Sequence, residues 1–253
     1  MTLTHQPVCI VSGRLLRFRR LVQCGGVIAA MAVQACTSPA PRGVVAPSPL
    51  RTLAPGLVLD ADAGVVRVEG IVSLNEGWLE QVACLQGTRD HEVLVTTHVQ
   101  PSAVHAALLL LGARSGAPGS WSWSDGELSL SPPTGAPIDV LVTVGDAQAV
   151  PIAMWMRGEG GRTFPERPWR FAGSNFIAAG ASGDRGTKAS EHYEADTSGS
   201  LIGIVTFGDE VLAWSEVLPH RLEVQDVLWE AAGDRMPPVG TAVTLVLRPQ
   251  PDP

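Results

Sequence analysis

The run Val93 to Gly112 (VLVTTHVQPSAVHAALLLLG) constrains the fold more than any other part of the chain. Val93, Val95, Thr97 and Val99 alternate with Leu94, Thr96 and His98, the period of a strand from Val93 to Val99. Pro101 presets a first helical turn at a position where its missing N–H is not needed. Ala103 to Leu111 are strong helix formers, and Gly112 supplies a C-terminal stop. The helix is apolar nearly all round, which predicts burial against a sheet.

Other segments read mostly as strands. Leu57–Asp60 and Val65–Leu74 flank the turn signal Ala61-Asp62-Ala63-Gly64 and predict a hairpin. Trp78–Leu85 is a weaker strand pattern, followed by a polar turn over Gln86–Asp90. Arg114–Ala136 is loop-like, with ELSLS as a short edge strand. Ile138–Val144, Ala149–Met156, His192–Asp196, Leu201–Phe207 and Ala242–Leu247 complete the set, and Ala181–Ala189 reads as an exposed loop. The expectation is a β-rich α+β domain, mainly antiparallel sheet with one short buried helix at about 101–111.

The N-terminus carries a different signal. Residues 1–35 hold Arg14, Arg17, Arg19 and Arg20 with no acid, then the apolar run Leu21–Val33, which reads as a signal peptide. Val33-Gln34-Ala35-Cys36 resembles a bacterial lipobox. By that resemblance Cys36 is lipidated and becomes the mature N-terminus. Residues 36–56 then read as a lipidated Pro/Ala/Ser-rich tether, 57–248 as the domain and 249–253 as a tail. The expected location is the bacterial cell envelope, with a membrane anchor and the domain facing the periplasm.

Removing residues 1–35 changes the charge balance. The whole chain is at −7, with 18 basic and 25 acidic residues, and the signal takes four of the bases, leaving −11. Such a surface repels phosphate backbones and argues against nucleic acid as a partner. The same removal takes Cys9 and Cys24. With Cys36 lipidated, Cys84 is left without a disulfide partner in the mature chain.

Cys84, His91, Glu92, His98 and His105 form the one metal-like cluster of the sequence. Thiolate, imidazole and carboxylate suit zinc or another divalent metal. The spacing, however, contains neither CxxC nor HxxxH, and His91-Glu92 does not begin an HExxH motif, because residue 95 is valine. The competing reading makes His105 a core-edge histidine, with His91 and Glu92 fixing the turn before the strand. A Cys84–imidazole pair is the weaker catalytic candidate, and Gly173-Ser174-Asn175 lacks a nucleophile elbow. The glycine clusters at 158–161 and 180–186 read as turns. Trp155 and Trp169 read as core, whereas Trp121 and Trp123 alternate with serines and are the better exposed aromatics.

Two ordered blocks carry a family resemblance. The first is Leu79-Glu80, Cys84, Gly87-Thr88, His91-Glu92, Pro101, His105-Ala106-Ala107-Leu108-Leu109 and Leu111-Gly112. The second is Trp169, Phe171-Ala172-Gly173-Ser174, Phe176, Tyr193-Glu194-Ala195-Asp196, Gly199 and Leu201-Ile202. Together they resemble the YdjY-domain family of exported bacterial proteins. The resemblance singles out Cys84, His91, Glu92 and His105, and leaves His98 aside. It implies no established activity. A ferredoxin-like role does not fit one mature free cysteine, because an iron–sulfur cluster normally takes four ligating side chains. The expected function is therefore a non-catalytic binding or scaffolding domain, with metal binding through Cys84, His91 and His105 as the alternative.

Overall fold

Val66, Val68 and Val72 leave no exposed surface, and the strand that carries them is bonded on both edges. The computed structural model describes residues 50–178, 191–219 and 229–251. The signal segment, Cys36, most of the tether and the loop expected at Ala181–Ala189 lie outside the described residues.

Eight strands form the body: β1 (Val65–Val72), β2 (Gln81–Leu85), β3 (Val93–Thr97), β4 (Pro137–Thr143), β5 (Trp169–Phe171), β6 (Ser200–Gly203), β7 (Leu212–Ala213) and β8 (Ala242–Pro249). Their spatial order is β1-β8-β4-β5-β7-β6-β2-β3, and β3 pairs back onto β1 through Ile71↔Thr96 and Val72↔Val95. The sheet thus closes into a mixed barrel, which leaves these strands without a free edge. The β-rich expectation holds, but the mainly antiparallel sheet needs correction. The seams β2–β3 and β6–β7 are parallel.

Parallel neighbours usually need a crossover of about a dozen residues or more. Here residues 86–92 and 204–211 suffice, because the strands they join are only two to five residues long. Such short links look like hairpin turns in a sequence.

Several local expectations shift. Leu50–Ala54 pairs antiparallel with Leu57–Asp60 inside the stretch read as tether. Its side chains are largely exposed, so main-chain bonding rather than hydrophobic patterning makes it a strand. The helix α1 (Pro101–Leu110) buries Pro101, Val104, Ala107 and Leu108 but exposes Leu109 (48%) and Leu110 (63%), so it is half-buried. Residues 149–156 are not one strand: Val150–Pro151 gives way to a 3-10 turn at Ile152–Trp155. Of the expected strand at 192–196 only His192 and Tyr193 are extended, within a strand Glu191–Tyr193, and Glu194–Ser198 forms a short helix, α2, closed by Gly199 at φ 80°. The loop expected around Trp121 is a hairpin, Ser120–Ser124 against Glu127–Ser131. Trp155 and Trp169 are core residues, and Phe164, Trp169, Trp214 and Trp229 stack edge-to-face or in parallel nearby.

Candidate functional site

The sequence blocks meet where the two parallel crossovers and the two helices converge. In the first crossover, Asp90 accepts hydrogen bonds from the Gly87 amide at 2.9 and 3.0 Å, and its own carbonyl accepts from the Ser73 hydroxyl at 3.0 Å. Thr88 packs against Gly199, where an added Cβ would collide with the threonine side chain. Gly199 also needs its left-handed backbone, so glycine is required there twice over. The Asp196 carboxylate accepts from the Ser102 amide at 2.8 Å, satisfying a first-turn donor of α1.

Arg89 occupies the centre of this junction. Its guanidinium donates to Ser200 Oγ at 2.9 Å and to Asp209 Oδ2 at 3.3 Å, and lies 3.9 Å from the centre of the Phe207 ring. With the Gln81 amide oriented to suit its neighbours, Oε1 accepts from Arg89 at 2.8 Å and from Ser200 Oγ at 3.0 Å, and the nitrogen donates to the Ala83 carbonyl at 3.2 Å.

The second crossover is held by Glu210, which has no exposed surface. Its carboxyl accepts from the Phe207 and Gly208 amides. Burial first, then the Asp209 charge, push this carboxyl up to about 7. Gly203 lies across from it, where an added Cβ would fall 2.5 Å from Glu210 Cγ. Glu80 is also pushed up to about 7, by burial first and then by its hydrogen bond to Glu92 and the charge of Glu92. Glu80 and Glu92 thus form a hydrogen-bonded carboxyl pair between the start of β2 and the first crossover.

His105, on α1, begins a second relay. Tyr193 Oη donates to the Gly173 carbonyl at 2.9 Å, so its contact with His105 Nδ1 at 2.8 Å makes Nδ1 the donor. Burial lowers the imidazole pKa, which keeps the ring neutral. Phe171 packs edge-on at 4.9 Å. Gly173 leads to Ser174, at φ 53°, whose Oγ donates to the Asp209 carbonyl at 2.7 Å and accepts from the Ala195 amide at 3.2 Å. Ser174 thus bridges the second crossover and the first turn of α2. The bonds run from His105 through Tyr193, Gly173, Ser174 and Asp209 to Arg89.

The sequence candidates divide accordingly. Cys84 is buried in β2, where burial raises its thiol pKa, and its sulfur lies 3.9 Å from Asp90 Oδ1. His91 is exposed, 3.8 Å from Glu92. His105 faces Tyr193 and Phe171. His98 is exposed at the rim of a groove of about 490 Å3, lined also by Glu69, Ile71, Thr96, Thr97 and Val243. Among the described residues, no group of three or more His, Cys, Asp or Glu is arranged to hold a metal ion. The donor set of Cys84, His91 and His105 does not fit zinc as placed, since each side chain has its own separate partners.

Arg89, Ser200, Asp209 and Glu210 were not singled out by sequence. Gly208-Asp209-Glu210, two acids set between apolar segments, was the available signal.

The fold and this junction define a small mixed β-barrel whose crossovers are clamped by a polar network. A model of the YdjY domain matches residues 57–248, and the chain belongs to that family. Neither the curated proteins nor the solved structures give a match. The region matched takes in both crossovers, both helices and all but the last residue of β8.

Proposed function

We propose that this is a lipid-anchored protein of the bacterial envelope whose barrel is a non-catalytic binding or scaffolding domain. One observation carries the reading. The polar side chains at the junction point at the protein's own backbone and at one another. Arg89 is engaged by Ser200, Asp209, Gln81 and Phe207, and Tyr193 by His105 and Gly173. Catalysis needs a nucleophile, a base and a stabilising donor around one free point. Ser115 and His105 both flank Gly173, but among the described residues no hydrogen bond joins them. The anchor rests on the lipobox-like segment ending in Cys36.

The metal alternative has less support, because its proposed ligands have different surroundings. Native mass spectrometry and elemental analysis of protein purified without chelators separate the two. A bound organic mass with less than a tenth of an equivalent of metal supports the binding domain. About one equivalent of divalent metal, lost in His105→Ala, overturns it. Cell fractionation tests the anchor: Cys36→Ser should move the protein to the soluble fraction, and unchanged membrane retention counts against lipidation.

A further inference from the structure

One edge of β1 changes partner part-way along, and the groove that has His98 at its rim, about 490 Å3 in volume, opens at the change. Val65–Val68 pair with Leu57–Asp60, whereas Ile71 and Val72 pair with β3. Between them the Glu69 amide donates to the Gly56 carbonyl at 2.8 Å, and the Glu69 carbonyl accepts from the Thr97 hydroxyl at 2.6 Å. The main chain is thus satisfied where the two neighbours part, and the gap is left to side chains.

The floor is the solvent face of the sheet. Val68, Val72 and Val95 are buried, so Glu69 and Ile71 point the other way. Opposed residues of an antiparallel pair share a face, which sets Thr244 beside Glu69, and Thr96 and Ala242 beside Ile71. Gly56 and Val99 stand at the carboxylate. A Cβ on Gly56 would lie 3.3 Å from Val99 Cγ2 and 3.5 Å from Glu69 Oε2, so any larger residue would crowd that end of the groove.

Two properties select an occupant. Ile71 is 39% exposed and gives the floor an apolar surface. Glu69 and His98 are the ionisable side chains of the lining, with no lysine or arginine beside them. Among the described residues no hydrogen bond or ion pair reaches the Glu69 carboxylate. A molecule that fills the groove takes water from that carboxylate. A neutral apolar body gives nothing in return, and an anion adds repulsion. A divalent ion takes several oxygen ligands, and the groove offers one carboxylate. A protonated amine on an apolar body meets both demands, with N–H groups for Glu69 and the Thr244 hydroxyl and hydrocarbon for Ile71. The volume lies within the range of small-ligand sites, about 300–1,000 Å3. We infer that this groove is a binding site for a small organic amine. The inference rests on the binding-domain reading and gives it a ligand class.

NMR on the full chain, observing the Ile71 methyl and the His98 ring, tests it with phenethylamine and hexylamine as probes. Both signals should move and saturate with the amines, and should stay fixed with phenethyl alcohol and hexanol at equal concentration. Glu69→Gln should weaken amine binding about tenfold at unchanged melting temperature, and Glu69→Asp should restore part of it. The assignment falls if neither amine moves the signals to saturation, if the alcohols bind as tightly, or if Glu69→Gln binds like the parent chain. Signals that move only with a lysine-bearing peptide overturn the small amine in favour of a protein ligand. If the amines fail while a co-purified organic mass remains bound, the ligand class alone is lost. If the amines fail and no mass is bound, the binding-domain reading falls with it.

Discussion

Arg89 and Asp209, 120 residues apart in the chain, meet at 3.3 Å and tie the two parallel crossovers of the barrel together. The Asp209 side chain is only 10% exposed. Removing its cation leaves a nearly buried carboxylate uncompensated. Arg89→Ala should therefore lower stability by about 3 kcal/mol in urea unfolding. Asp209→Asn keeps an acceptor for the guanidinium and should cost about 1 kcal/mol. A double-mutant cycle with Arg89→Ala and Asp209→Ala should give a coupling of about 1–3 kcal/mol, and additive losses would mean that the two crossovers are held independently.

Glu210 makes stability depend on pH in a defined direction. Its folded pKa of about 7 lies above the unfolded glutamate value of about 4.3. Between those values the folded chain holds the extra proton, so stability falls as pH rises. The contribution is fully present below the unfolded value and lost on passing the folded one. Glu80 acts in the same sense. Thermal melts should drop by roughly 5 °C from pH 5 to pH 8, and Glu210→Gln should flatten much of that slope. An unchanged slope in the variant would place the titration elsewhere.

The seam that closes the barrel has no room for a methyl group at residue 70. A Cβ on Gly70 would lie 2.5 Å from Val95 Cγ1 and 2.8 Å from the Thr96 carbonyl oxygen. The second contact is backbone, so β3 itself must move. Gly70→Ala should cost about 1–3 kcal/mol. The Ser73 amide, which donates to Leu94 at 2.8 Å, should lose hydrogen-exchange protection in the variant.

Cys84 should behave as a core atom rather than a reagent. Its burial and raised pKa predict little labelling by maleimide at pH 8 in the native protein, and rapid labelling in urea. Peptide mapping distinguishes it from the other cysteines. Fast native labelling would show that β2 opens at the sulfur.

These outcomes separate what local pattern can reveal from what it cannot. The hairpin Leu57–Asp60/Val65–Val72 and α1 were legible, because each follows from neighbours within a few residues. The closed barrel was not, because β7 is two residues long and the crossovers resemble turns. The candidate site was half legible. Cys84, Glu92 and His105 were found, but their partners Asp90, Glu80 and Tyr193 include groups that pattern alone does not mark. Arg89 was missed because its meaning lies in Asp209 and Ser200, more than a hundred positions away. Pro101 and Gly112 signalled the helix ends correctly, whereas burial all round failed because only one side of α1 meets the barrel.

The position of β8 has a consequence for how the chain is made. Residues 242–249 lie between β1 and β4, bonded to both. Until they emerge, β1 has neighbours on one side alone, and the earlier strands form an open sheet with two bare edges. Closure therefore waits for residues 242–249, and a nascent polypeptide stopped short of Ala242 presents two unpaired strand edges to whatever it meets.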